Sequence, residues 1–449
     1  MLQTLFYIPT KIGDVPLFGP GVLLVLWAIG SIGLLVWLVR RQGFNADTRA
    51  YLPVLLLLGL AIYFLPKIVG DTQGLPVRGY GVMLLLAVAS SVGLLVARGK
   101  RIGIDPELIF SLSFWLFVAG ILGARVFFVI QYWNESFYQT TKDGSFDFGA
   151  TVRAVLNISQ GGLVVFGSLI GGAIAALIFI RKHKLPTLVM GDLMAPCIVL
   201  GMAIGRIGCF LNGCCHGAVC DLPWAVQFPH GSEAYVQQVE DGSLRPYGIV
   251  FADRSSAPPK VEAVEEGTAA KLSGLQVGET VQSVLFRTNS SAEWKYKPVS
   301  TVAAARDALR LATEPGHQIT LAVAKDGGYV RQLPAWNVPA VPPVSLPVHP
   351  AQLYSAIDAF LLFFVLLAYE PFQRRNGELL ALLLVLHPIS RFTLEIIRVD
   401  EPPQFGTPLS ISQLISILAV IGGCVLWRYI LSNGVPVPPR NFPTRPQPI

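Results

Sequence analysis

Apolar runs of about 20 residues recur along the chain, separated by short polar connections. Runs of that length cross a ~30 Å hydrocarbon layer as helices. They predict about nine spans, near residues 21–39, 51–69, 80–98, 108–131, 162–180, 190–211, 352–370, 379–398 and 409–430. The first carries Gly30 and Gly33 and is too long for the apolar core of a cleavable leader, so it reads as a permanent span. Pro66 and Lys67 shorten the second. Between 212 and 351 the pattern breaks. Residues 249–338 show short strand-like runs alternating with turns, and 300–313 (STVAAARDALRLAT) spaces its apolar positions as a helix behind a Ser/Thr cap. The expected fold class is an all-α polytopic membrane protein with an α+β insert. The stretches 222–238 and 346–355, on either side of the insert, should then meet in space, as the ends of an inserted domain do.

Charge supports the membrane reading and orients it. Only 14% of residues are charged against roughly 25% in soluble domains, and mean hydropathy is +0.56. Basic residues alternate between connections. Arg40, Arg41 and Arg49 follow the first run, Arg98, Lys100 and Arg101 the third, Arg181, Lys182 and Lys184 the fifth, and Arg374 and Arg375 the seventh. The intervening short connections are poor in them. By the positive-inside rule this predicts an outside N-terminus, a cytoplasmic C-terminus and an insert on the outer face. The net charge of +6 is then a topology signal facing an anionic inner leaflet, and no nucleic-acid partner is expected.

Ionisable residues inside apolar runs are costly and mark candidate chemistry. In Gly205-Arg-Ile-Gly-Cys-Phe-Leu-Asn-Gly-Cys-Cys-His-Gly217, Arg206 lies near the end of a long apolar run among glycines, with Asn212 beyond it. A guanidinium in a glycine-lined cavity suits a phosphate, held by two parallel hydrogen bonds; a simpler reading is an arginine snorkelling to the interface. In His387-Pro-Ile-Ser-Arg-Phe-Thr-Leu-Glu-Ile-Ile-Arg398, the residues His387, Arg391, Glu395 and Arg398 fall 4, 4 and 3 apart, on one helix face. Such a stripe fits a catalytic site, a structural ion pair or a transport pathway. Weaker signals are Arg78-Gly-Tyr80-Gly, Gly120-Ile-Leu-Gly-Ala-Arg125, the glycine-rich stretch 160–172, and His349-Pro-Ala-Gln-Leu-Tyr354. The cysteines at 209, 214, 215 and 220, beside His216, could pack a tight helix end, form a disulfide, bind zinc or supply a nucleophile, although their spacing fits no standard zinc motif.

Two family resemblances organise these signals. The stretch VEAVEEGTAAKLSGLQVGETV (261–281) resembles the centre of a PDZ domain, with Glu279 where Asp is usual. That likeness implies capture of extended peptides along a sheet edge; the plainer alternative is a spacer. The runs RGYGVM, GARVFFV, GGLVVFGSLIGG, GRIGCFLNGCCHG, HPAQLYSAI, SRFTLEIIR and SISQLISI, in that order, resemble the bacterial prolipoprotein diacylglyceryl transferases, seven-span enzymes of the inner membrane. The resemblance implies transfer of the diacylglyceryl group of phosphatidylglycerol to the lipobox cysteine thiol of a prolipoprotein signal peptide, releasing glycerol phosphate, without a cofactor or metal. It implies catalytic roles for Arg206, Arg391, Glu395 and Tyr80, and substrate-binding roles for Asn212, Gly217, Arg125, His349 and Arg398.

The domain reading that follows is two extra helices over 1–77, the transferase core over 78–248 and 339–432, the PDZ-like insert over 249–338, and a cytoplasmic tail over 433–449. Many members carry histidine where this chain has Phe166, which removes that candidate base and leaves Glu395, Tyr80, His349 or a phosphate oxygen of the leaving group. Cys209 and Cys214 also depart from the family pattern. Rival readings are a non-catalytic relative that recruits peptides through the insert, and a transporter, although no internal repeat supports the latter.

Overall fold

The computed structural model describes residues 3–13, 15–43, 52, 55–56, 58–64, 74–133, 137–138, 146–156, 164–245, 247–251, 258–288, 293–311, 317–325, 329–337, 342–398 and 406–437. Its helices are α1 Val22–Gln42, α2 Gly79–Arg101, α3 Pro106–Gln131, α4 Phe148–Leu156, α5 Val165–Lys182, α6 Thr187–Asn212, α7 Glu233–Glu240, α8 Ala269–Leu272, α9 Val302–Leu311, α10 Ala351–Tyr369, α11 Glu378–Glu395 and α12 Ile411–Asn433. Among the described residues, six helices are long and apolar enough to cross a membrane: α1, α2, α3, α6, α10 and α12. The molecule is a multi-pass membrane protein. α5 and α11 occupy two further expected spans at 18 residues each, about 27 Å at 1.5 Å per residue. The span expected at 51–69 lies largely outside the described residues, as does the start of the glycine-rich stretch, 160–163.

The chain forms two compact units, one of Met1–Met83, Gly208–Cys214 and Val219–Val348, the other of Leu84–Ile207, Cys215–Ala218 and His349–Ile449. In the first, β1 (Thr4–Ile8) pairs antiparallel with β4 (Leu75–Arg78), and a small hairpin joins β2 (Lys11–Ile12) to β3 (Val15–Pro16). Its sheet-rich part holds β5 (Ile249–Phe251) against β6 (Val261–Val264). A second sheet runs in the order β10 (Arg331–Gln332), β9 (His317–Lys325), β7 (Glu279–Thr288), β8 (Lys295–Pro298), with β11 (Trp336–Asn337) also on β9. Val284 and Phe286 on β7 and Ile319, Leu321 and Val323 on β9 alternate inward, a register shift between Val281 and Ser283 adds Val281, and they share a core with Val302, Ala305 and Ala308 of α9. Tyr247 belongs to the same core, so the α+β module reaches upstream of residue 249. Glu279 is buried and receives Arg331 through Nε at 2.8 Å and Nη2 at 2.9 Å, while the Gln276 amide donates to it at 2.9 Å.

The two ends of this module meet. Val226 and Val348 exchange backbone bonds of 3.0 and 3.1 Å. The Phe228 amide donates to Ser345 Oγ at 2.9 Å, and the Leu346 amide to Gln238 Oε1 at 2.8 Å. The entry and exit segments are thus joined by isolated bridges, Val226 to Val348 and Pro229 to Val344.

The second unit is helical. α3 and α5 approach through Gly123, Gly167 and Gly171: a Cβ on Gly123 would strike the Gly167 carbonyl, and one on Gly171 the Ala119 carbonyl. In lipid there is little hydrophobic drive between helices, so such backbone-to-backbone packing is what holds them. α6 contains Pro196, which cannot donate to the carbonyl four residues back. That carbonyl, of Asp192, instead accepts from Arg98 Nη2 at 3.3 Å. The Asp192 carboxylate does a second job. α11 starts at Gly377, which has no side chain to cap it and a φ of 102°. Asp192 supplies the cap from α6, accepting from the Gly377 amide at 2.5 Å and the Leu380 amide at 3.0 Å.

Candidate active site

The Asp192 cap fixes the level of α6 against α11. From Asp192 to Arg206 is fourteen residues, and from Gly377 to Arg391 is also fourteen (206 − 192 and 391 − 377). At 1.5 Å per residue each guanidinium sits about 21 Å further along from the common anchor. Arg206 and Arg391 accordingly line one tight cavity, together with Met202, Ser355, Asp358, Ala359, His387 and Leu394. Arg206 makes no hydrogen bond or ion pair among the described residues. A cation in this position is available to a ligand.

Arg391 is held from two sides. It pairs with Glu395 one turn on, and its Nη2 donates to Ser412 Oγ of α12 at 3.0 Å. Glu395 is 5% exposed, receives Ser410 Oγ at 3.3 Å and lies 3.7 Å from Arg398. Ser410 and Ser412 belong to the SISQ run, where Ser410 also caps α12 in a reciprocal box with Gln413. One short polar motif therefore starts a membrane helix and clamps the ionic stripe of its neighbour.

The expected stripe needs one correction. α11 ends at Glu395, so Arg398 is not on the helix face; it lies in an isolated bridge opposite Gly217. The backbone leaves the helix there because Ala218 donates to the Ile397 carbonyl at 2.9 Å. Gly217 in turn donates to the His349 carbonyl at 2.9 Å, and a Cβ on it would stand 2.7 Å from His349 Cβ. Gly217, His349 and Arg398 are thus brought together as one knot.

The other expected residues sit apart from the cavity lining. Arg125 is buried, donating to the Val155 carbonyl at 2.9 Å and the Ala154 carbonyl at 3.0 Å, with its guanidinium over Phe128 and Phe137. It closes the end of α4 through these two carbonyls. In the first unit, Tyr80 packs over Gly208, where a Cβ would come within 3.3 Å of the ring. There too the Asn212 carbonyl accepts from Gln3 Nε2 at 3.2 Å. No disulfide links any of the six cysteines, and Cys214 Sγ donates to the Cys209 carbonyl at 3.8 Å. The disulfide alternative is not formed.

Five polar residues have no role that the sequence alone assigns: Asp192, Asp358, Ser355, Ser390 and Ser412. Asp358 Oδ2 accepts from Ser390 Oγ at 2.7 Å, tying α10 to α11 at the cavity. The signal for Asp358 was a lone carboxylate in an apolar run.

Comparison with known proteins bears on this arrangement. The family model for prolipoprotein diacylglyceryl transferase matches residues 67–429. The phosphatidylglycerol–prolipoprotein diacylglyceryl transferase of Rhodopirellula baltica is 34% identical over 473 residues, covering 97% of this chain and 90% of the relative. The enzyme of that name from Trichormus variabilis is 35% identical over 153 residues, 34% of this chain and 50% of its own. Phosphatidylglycerol–prolipoprotein diacylglyceryl transferase 2 of Clostridium perfringens is 23% identical over 363 residues, 80% of this chain and 93% of its own.

Proposed function

The chain belongs to the prolipoprotein diacylglyceryl transferase family, and from that premise we infer that it moves the diacylglyceryl group of phosphatidylglycerol onto the lipobox cysteine of prolipoproteins. The observation that carries the chemistry is the convergence of Arg206 and Arg391 on one cavity. Displacing a phosphate ester with a thiolate puts negative charge on the leaving phosphate. Two preorganised guanidinium groups in a low-dielectric site stabilise that charge as it develops. Glu395 and Ser412 hold Arg391 in place for the role, while Arg206 stays available. By the family resemblance Tyr80 has a catalytic role, and Asn212, Gly217, Arg125, His349 and Arg398 have substrate-binding roles. Replacing Arg206 or Arg391 with alanine is expected to lower transfer at least 100-fold, the scale of losing one oxyanion donor, while the protein still inserts. Transfer at the wild-type rate in either variant would overturn the assignment.

The finer topology is part of the same proposal. Nine spans place the N-terminus and the α+β module on the outer face of the bacterial inner membrane and the C-terminus in the cytoplasm. There the module acts as a PDZ-like domain that takes extended peptides. Its edge strand β5 lines a cleft with Tyr247, Leu244, Leu309, Arg245 and Arg306, a setting for β-augmentation near two cations. Peptides with a free C-terminal carboxylate, added outside sealed right-side-out vesicles, should bind more tightly than their C-terminal amides. Equal binding, or none, would remove the module from peptide capture.

A further inference from the structure

The transfer step needs a base for the incoming thiol, and the glycine-rich stretch 160–172 holds Phe166 and no histidine. Phe166 cannot accept a proton. Glu395 is engaged by Arg391, Arg398 and Ser410, and His349 is not among the residues lining the cavity. One other titratable nitrogen faces the paired arginines. His387 lines the cavity, and its Nδ1 is sealed from solvent without a hydrogen-bond partner among the described residues. His216 Nε2 and His349 Nδ1 are buried in the same way, but of these residues His387 alone lines the cavity of the two arginines. Opposite it lies Asp358, the one carboxylate among the lining residues, oriented by Ser390 Oγ at 2.7 Å.

From this geometry we propose that His387 is the base that takes the thiol proton and that Asp358 is the positioning residue that lets it do so. In the Nε2–H tautomer, His387 Nδ1 accepts the proton from the cysteine S–H. The thiolate attacks the glyceryl carbon that bears the phosphate ester. The C–S bond forms as the C–O bond breaks, and the bonding electron pair leaves on glycerol phosphate between Arg206 and Arg391. The proton on His387 then passes to the departing phosphate, which restores the neutral ring. The groups that face the ring during this cycle are Arg206 from α6, Asp358 from α10 and Arg391 from α11. Without Asp358, a proton on His387 would face two guanidinium groups and no carboxylate in the cavity.

The proposal rests on the transferase reading, and its test separates the two. Full-length protein in phosphatidylglycerol vesicles is given two otherwise identical lipobox peptides, one with cysteine and one with selenocysteine, whose selenol is already ionised at neutral pH. His387→Gln should lose about 10²–10⁴-fold with the cysteine peptide, the usual worth of a general base, and keep its rate with the selenocysteine peptide. Its residual rate with cysteine should climb about tenfold per pH unit toward the thiol pKa near 8.5, whereas wild type levels off earlier. His387→Asn should repeat this pattern, and Asp358→Asn should show a smaller loss confined to the cysteine peptide. Equal losses on both peptides in both His387 variants, or no loss on either, would overturn the proposal. Failure of wild type to modify either peptide would remove the transferase reading and this one with it.

Discussion

Glu395 shows how a single buried carboxylate can organise a site. Its side chain is 3% exposed, yet it faces two arginines and a serine. Breaking a buried pair by removing one charge costs about 3–5 kcal/mol, because the remaining cations are left desolvated. Glu395→Gln is therefore expected to lower the unfolding temperature in detergent and to abolish transfer; an unchanged melt would mean that Arg391 and Arg398 do not depend on it. Arg206, Arg391 and Glu395 were legible in the sequence because an ionisable side chain in an apolar run demands a partner or a use. Asp358 and Asp192 were not, although each is also a charge in an apolar run. Their partners, Ser390 and the Gly377 amide, lie on other helices, and helical spacing reveals only neighbours three or four residues away.

At the scale of elements, the glycine-rich stretches divide by role. Gly123, Gly167 and Gly171 hold α3 against α5 by direct backbone contact, so their function is packing. Gly167→Val would force a side chain into the Gly123 carbonyl and push the helices apart. Protease resistance of the reconstituted protein should fall sharply, and retention of wild-type resistance would show that α3 and α5 do not pack through this face. Gly217 is different, since a side chain there would displace His349 and with it the knot to Arg398. The position of Arg398 was misread for a physical reason. The sequence from His387 to Arg398 keeps helical spacing throughout, but the backbone at 397 is claimed by Ala218, a competition that no local pattern records. The α+β module was easier to read because its strands alternate and its turns carry glycine; that Tyr247 packs into its core was hidden because that residue lies outside any strand.

For the whole molecule, the decisive feature is registry. Two helices more than 160 residues apart in sequence are pinned at one end by the Asp192 cap and present their arginines at the same height fourteen residues later. The sheet-rich module lies between those helices in sequence, and its entry and exit segments pair through Val226 and Val348. Order of motifs along the chain was enough to expect the family, whereas the common anchor of α6 and α11 emerges only from the folded structure. The measurement that bears most directly on this account is transfer itself. Purified protein is mixed with phosphatidylglycerol labelled in its acyl chains and a lipobox peptide, with a Cys→Ser peptide and the Arg206→Ala protein as controls. The account predicts label on the cysteine peptide alone, one glycerol phosphate released per peptide modified, and a loss of at least about 100-fold in the Arg206→Ala protein. A folded preparation that leaves the cysteine peptide unlabelled, or labels it equally well without Arg206, would contradict it.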